Sequence, residues 1–443
     1  MNRRFGVALL AVALLFSLFA VSAWADSQAR IVRLSDVQGD VQIDRGTGQG
    51  FQKAFLNMPV TQGVRLRTME DARAEVEFED GSTIHLTPET TLQFTDLSLR
   101  DSGAKISTVD VQKGEAYFDF TARKNDEFKV TFAHESATLT KAAHFRVSVD
   151  EQEASLAVFK GDVPVTSPSG EVQVAKKQTA TFDLTNNGKH ELAKNIEDDP
   201  FDAWDKKETD YHARYTASNV SNAYSSAYNY GVSDLAYYGN YMNLPGYGLC
   251  WQPYLTGLGW DPFMDGAWMW YPGFGYSWVS AYPWGWAPYH SGTWVFVPRY
   301  GWLWQPGGSF IAWNAVPPVV NPPSHYVPPR PPLVTGPGRA MIAIGRGPSA
   351  PAFNSKVVIR GDNAGLGVPR GSYNLGRLNR QVETRGAATI RTQRGVYAPS
   401  INAAPAMGGG FSGSRSAGPR MSAPAPSRST SSSTSHTSPS PHR

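Results

Sequence analysis

One cysteine, Cys250, stands in 443 residues. A lone thiol closes no internal disulfide and builds no cysteine metal site. The chain therefore folds by packing alone, and Cys250, between Leu249 and Trp251, reads as a small buried apolar residue. The nine histidines are scattered, with no His-x-His and no HExxH pair, so no metal site is expected. Charge is almost missing from Trp251 to Trp313, where Asp261, Asp265 and Arg299 are the only charges if His290 is neutral. Beyond the N-terminal segment no uninterrupted apolar run could span a bilayer. The apolar stretch after Trp251 is broken by Pro and Gly, which would strand backbone groups in lipid. A cofactor motif is lacking too. Gly345-Arg346-Gly347-Pro348-Ser349-Ala350 has dinucleotide-binding spacing, but Pro348 and Pro351 would break the helix that must receive the pyrophosphate. No cofactor and no catalytic residue is expected.

What is present begins with an export signal over residues 1–25. Arg3 and Arg4 precede an apolar run from Val7 to Val21, interrupted by Ser17, and Ala23-Trp24-Ala25 offers small residues to a signal peptidase. Cleavage is expected before Asp26, giving a periplasmic or secreted protein. The alternative is an uncleaved anchor over Gly6–Trp24 in the inner membrane, with the chain facing the periplasm. No Cys follows the run, so no lipoprotein linkage is expected. The net charge of +3 hides a split: from Pro328 onward there are 15 Lys or Arg against Asp362 and Glu383, leaving residues 26–327 at −12. Such asymmetry marks a C-terminal segment with a separate role or no fold.

Residues 26–196 alternate like an all-β domain, in Val37–Ile43, Ala74–Phe78 and Phe145–Val149. Asp80-Gly81 between two such runs predicts a hairpin, because Gly accepts the positive φ of a tight turn. A strand–Gly–strand unit recurs at Gly39, Gly63, Gly114 and Gly161, which suggests a β-meander or short β-solenoid. These segments, above all Ala74–Leu86, resemble the FecR-like domain over Ile31–Leu184. The pattern departs at Ala142-Ala143-His144-Phe145, where a Gly is expected before the strand. The resemblance implies a role in signal transduction across the envelope. With an export signal at the start, no cytoplasmic part precedes the domain, so direct sigma-factor regulation is not expected.

Residues 197–243 form a connector: a helix over Pro200–Tyr215, started by Asp199-Pro200, then a Tyr/Ser/Asn-rich stretch. Residues 244–317 hold a Trp/Gly/Pro-rich block. Eleven of the 13 Trp lie between Trp251 and Trp313. Trp270, Trp278, Trp286, Trp294 and Trp302 recur every eight residues, predicting four or five short strands with one aromatic row on one face. The block resembles an uncharacterised domain that often follows FecR-like domains in exported bacterial proteins. Two readings of the row stand: a core that replaces disulfides, or a platform on which a ligand stacks. Residues 318–443, rich in Pro, Arg, Gly and Ser, are expected to be a disordered tail, with weak strands at Ala340–Ile344 and Lys356–Ile359.

The expected fold class is mainly β: the FecR-like domain, a small aromatic β domain, one connecting helix and the tail. The expected function is a non-enzymatic envelope protein that binds or scaffolds an envelope protein or glycan. Polysaccharide or peptidoglycan binding through surface Trp is the alternative. A glycan hydrolase is the third reading, with Asp261 and Asp265 as its only candidate carboxylates, although Asp261-Pro262 and Asp265-Gly266 read as turn dipeptides. Export argues against nucleic acid as a partner, whereas the basic tail suits peripheral contact with an anionic surface.

Overall fold

The computed structural model describes residues 30, 32–216, 231–257, 259–307, 311, 314–333, 341–348, 350–352, 356–391 and 396–398. The expected export signal over residues 1–25, Trp313 and residues 399–443 lie outside these. Among the described residues no helix is long and apolar enough to cross a membrane.

The chain is mainly β, as its alternation predicts. From Val32 to Ala193 its strands form two sheets around one core. Alternation decides which side chains enter that core: in Ala143–Val149 the residues Ala143, Phe145, Val147 and Val149 are buried and those between are half-exposed. The recurring glycines are the corners between the sheets. At Gly39 the chain leaves strand Val32–Gln38 of one sheet and enters Val41–Asp44 of the other. Gly161 does the same between Glu153–Lys160 and Val163–Ser167. The long strand Lys105–Phe120 makes the reverse passage at Gly114, pairing through Lys113 on one sheet and from Gly114 on the other. Gly114 has φ +83°, and a Cβ there would lie 2.7 Å from the Thr90 Cα, so corner and glycine are inseparable. The Gly missing before Phe145 is supplied from the opposite side: Gly161 passes the Ala142 carbonyl at a distance that leaves 2.6 Å to an added Cβ. The Asp80-Gly81 hairpin forms as expected, joining Arg73–Glu77 to Thr83–Leu86, and Asp80 Oδ1 accepts the Ser82 N–H at 2.8 Å.

Helix α1 (Asp202–Thr216) follows, two residues inside the expected start. Asp199 Oδ1 accepts the Phe201 N–H at 2.7 Å, satisfying a free donor at the helix start. Its buried face, Trp204, Asp205, Glu208 and Tyr211, lies toward the β body. Helix α2 (Val232–Tyr238) then opens the aromatic region. Most of the aromatic strands assemble into two sheets. One has the order Gly239–Leu244, Gly248–Pro253, Gly301–Gln305, Thr293–Val297, Val319–Val320. The other pairs hairpin Gly266–Tyr271/Gly275–Ser280 with Met341–Ile344. A single helical turn, α3 (Ala287–His290), lies between them in sequence.

That hairpin is shared by both halves of the molecule. Ala267, Met269, Tyr271 and Val279 pack into the core of the first β body, while Trp268, Trp278 and Tyr276 pack into the aromatic core. Period-two alternation thus sends the two opposite faces of one ribbon into two cores.

The segment from 318 onward differs from its compositional reading. Hairpin Lys356–Arg360/Ala387–Arg391 and helix α4 (Leu375–Arg385) are ordered, and Ile359, Leu366, Val368, Leu375, Leu378, Val382 and Ile390 join the aromatic core. Few apolar residues suffice because nearly all of them face one side, and Asn374 caps α4 by accepting the Arg377 N–H at 2.9 Å. The strands anticipated at Ala340–Ile344 and Lys356–Ile359 are both there.

Candidate functional site at the domain junction

The tryptophans at eight-residue spacing do not form one face. Trp270 and Trp278 sit in the shared hairpin, Trp294 and Trp302 in the other sheet, and Trp286 just before α3. In antiparallel hairpins the partners are Trp268 with Trp278, Trp270 with Tyr276, and Trp294 with Trp304, so an eight-residue repeat does not translate into a row. Trp278, Trp286, Trp294 and Trp302 are buried and Trp270 is half-buried. A stacking platform needs free ring faces; the rings of the row meet other aromatic side chains instead, as in the edge-to-face pair Trp268–Trp278 at 5.5 Å. Several indole N–H groups of the block are used internally: Trp294 of the row donates to the Pro288 carbonyl at 2.8 Å, and beside it Trp251 donates to Leu235 at 2.9 Å and Trp284 to Ala364 at 2.8 Å. Cys250 is buried, as expected.

Asp265 is not a cleft carboxylate. It is 1% exposed and held by Arg346, whose Nη2 donates to Oδ2 at 2.7 Å and whose backbone N–H donates to Oδ1 at 2.8 Å. This gives the Gly345-Arg346-Gly347 segment a structural job, since Gly345 has φ +57° and no room for a side chain against the Met264 carbonyl. Asp261 caps its own turn by accepting the Phe263 N–H at 2.9 Å.

The chemistry-bearing residues gather elsewhere, at the junction between the β body and the aromatic region. From the β body come Arg33, Glu75, Glu77 and His85; from α1, Asp205, Tyr211 and His212; from α2, Ser233 and Asp234; and from the segment before α4, Arg370. Arg33 is fully buried, bonded to Asp234 through Nη2, with its Nε 3.5 Å from Glu77. Arg370 donates to Glu75 at 2.7 Å and to the Ser35 carbonyl at 2.5 Å, and its Nε lies 3.3 Å from Asp234. Tyr211 donates its hydroxyl to Asp234 at 2.9 Å. A second arm runs through His85, which bridges Asp205 at 2.7 Å and Glu75 at 3.2 Å, while His144 meets Asp205 at 2.9 Å.

Burial alone would make this arrangement untenable, because each isolated charge would cost several kcal/mol. Pairing reverses the outcome. Burial lowers the His85 pKa, but hydrogen bonds to the carboxylates of Asp205 and Glu75 overcome it and push it up to about 10. Burial raises Asp205, but His144 and His85 bring it down to about 2. Burial likewise opposes ionisation of Glu75, yet Arg370 and His212 hold it well below the usual carboxylate range. Asp36, whose burial outweighs the pull of Arg370, is left at about 6.

One subset has the outline of a hydrolase triad. Ser233 Oγ is 2.9 Å from His212 Nδ1, and His212 Nε2 is 3.0 Å from Glu75. Burial tells against that role, since Ser233 is 1% exposed. Burial also lowers the His212 pKa, but Glu75 more than offsets this and raises it. A cleft of about 240 Å³ runs along α1 past Lys206, Lys207, Tyr211, Arg214 and Arg370, and Ser233 is not part of its lining.

Sequence reasoning missed the junction. Its residues span 33 to 370, and only the fold brings them together. Arg33, Glu75, Glu77 and His85 alternate with the core residues Leu34, Ala74, Val76 and Ile84, so the local pattern reads them as a solvated outer face, and only the segments that later cover that face bury them.

Residues 64–164 match the family described as FecR protein. The β body carries a FecR domain. Residues 232–322 match a family of unknown function, DUF6600, so the FecR domain is followed by an uncharacterised domain built on the aromatic core. Each match is shorter than the folded region around it, which begins before 64 and continues through α4. No curated protein matches the chain. Two crystal structures of a candidate anti-sigma factor from Parabacteroides distasonis are similar, at 20% and 19% identity, each covering 30% of this chain with a TM-score of 0.26. The chain spans 59% of the length of those proteins.

Proposed function

We propose that the chain is an exported, non-enzymatic envelope protein in which the FecR domain and the aromatic domain act as one rigid binding or scaffolding body in envelope signalling. The observation that carries the reading is the junction. A FecR domain is fastened to a second domain by a buried ion network and a shared hairpin, and the triad-like grouping of Ser233, His212 and Glu75 in that network is sealed from solvent. Residues this buried transmit position rather than perform chemistry. The export signal supports an envelope location, and the FecR family supports a link to signalling.

Full-length protein in its own cell provides the test. Ser233→Ala should leave an envelope-response transcript unchanged, whereas Arg33→Met, which unfastens the junction, should abolish the response at equal protein level. Loss of the response in a folded Ser233→Ala protein would favour a hydrolase. Protection of the protein from protease after the outer envelope is opened would refute export.

A further inference from the structure

The Pro-rich run that follows the aromatic sheets has an order of its own. Pro328, Pro329, Pro331 and Pro332 fix their own φ near −65° and force residues 327, 328, 330 and 331 into extended conformations. Covalent geometry therefore sets a left-handed polyproline II helix over 327–333, with three residues per turn. The exposure pattern carries that period: Val327, Arg330 and Leu333 are exposed, and the two residues after each of Val327 and Arg330 are half-buried. Val327 is 70% exposed and Leu333 is 99% exposed, so both project a large apolar group into solvent. No ion pair reaches Arg330 among the described residues. The run is moored at its start, where the Tyr326 ring packs 4.7 Å from that of Trp302. It presents one ridge, apolar–cationic–apolar, with about 9 Å between successive side chains.

We infer that Val327, Arg330 and Leu333 form a docking ridge for a partner protein whose groove places aromatic side chains on either side of a carboxylate. The prolines lack N–H donors, so the run adds poorly to a sheet edge and is recognised through its ridges. The stiff helix loses little entropy on binding, which favours a groove over a flat surface. The single central cation calls for one carboxylate, flanked by apolar pockets at the ridge spacing. A membrane would favour several cations in place of this alternation. The ridge is independent of what the FecR domain contacts.

The test places p-benzoylphenylalanine at position 327 or 333 of the full-length chain in its own cell, with position 192 as an exposed control. Both ridge positions should crosslink to the same partner polypeptide, and the mapped peptide should contain aromatic and acidic residues. Arg330→Glu should cut the yield roughly tenfold. Since these side chains are exposed, every variant should keep the parent melting temperature. The inference fails if adducts do not exceed the control, if they form only with lipid or a second copy of the chain, or if Arg330→Glu leaves the yield unchanged. A partner found outside the envelope would refute the location proposed above while leaving the ridge intact.

Discussion

The FecR body and the aromatic domain bury their cores by opposite means. The first uses Val, Leu, Ala and Phe on strands of up to 16 residues, with glycine corners between two sheets. The second has strands of two to six residues and fills its centre with Trp and Tyr. Short strands give few ladder bonds, so large rings supply the buried area, and indole N–H groups tie loops to that core. A protein with one thiol can thus stabilise a region poor in regular structure. The comparison also shows what each region tolerates: backbone geometry limits the first, side-chain volume the second.

The largest expected effect comes from removing a ring. Trp286→Ala should destabilise the protein by about 3–5 kcal/mol, seen as a lower denaturation midpoint. Iodide should quench Trp fluorescence of the folded protein only weakly. Strong quenching of well-folded protein would return the row to a ligand-stacking role.

The junction comes next. Arg370→Met leaves Glu75 and Asp234 short of a buried partner and should cost about 3 kcal/mol. If the two domains then melt separately in calorimetry, the network holds them together; a single unchanged transition would mean that the shared hairpin suffices. Backbone geometry should matter less. Gly161→Ala forces a side chain onto φ +81° against the Ala142 carbonyl and should cost about 1–3 kcal/mol. The same change at Gly246, with φ +81° but open space, should cost less, separating steric clash from backbone strain.

The smallest effect is acid sensitivity. Burial holds the His290 pKa down at about 3, below its usual value of 6.5. The unfolded chain therefore binds this proton first as pH falls, and stability present above pH 6.5 is lost progressively toward pH 3. His290→Gln should flatten this part of the stability–pH curve by about 1–2 kcal/mol between pH 6.5 and 5. An unchanged slope would assign the acid loss to the carboxylates of the junction.

Much of the fold was legible because its signals are local. Alternation at Phe145–Val149, the Asp80-Gly81 turn and the four corner glycines each act through neighbours in the chain. The aromatic block was legible as short strands but not as two sheets, because hairpin pairing, rather than residue spacing, decides which rings meet. The ordered part of the C-terminal segment was hidden by its composition. Its scattered Ile, Leu and Val look too few for a core until they are seen to complete one already formed by Trp284 and its neighbours.

The sequence by itself determined the β class, the corners, the start of helix α1 and the stiffness of the run after Tyr326, since each follows from the conformational limits of residues in direct succession. Only the tertiary structure decided that Arg33, Glu75, Asp234 and Arg370 would share one dry junction, and that the tryptophans would turn inward. Both outcomes depend on groups far apart in the chain. A buried charge is tolerable only beside its partner, and a ring is buried only where another segment arrives to cover it.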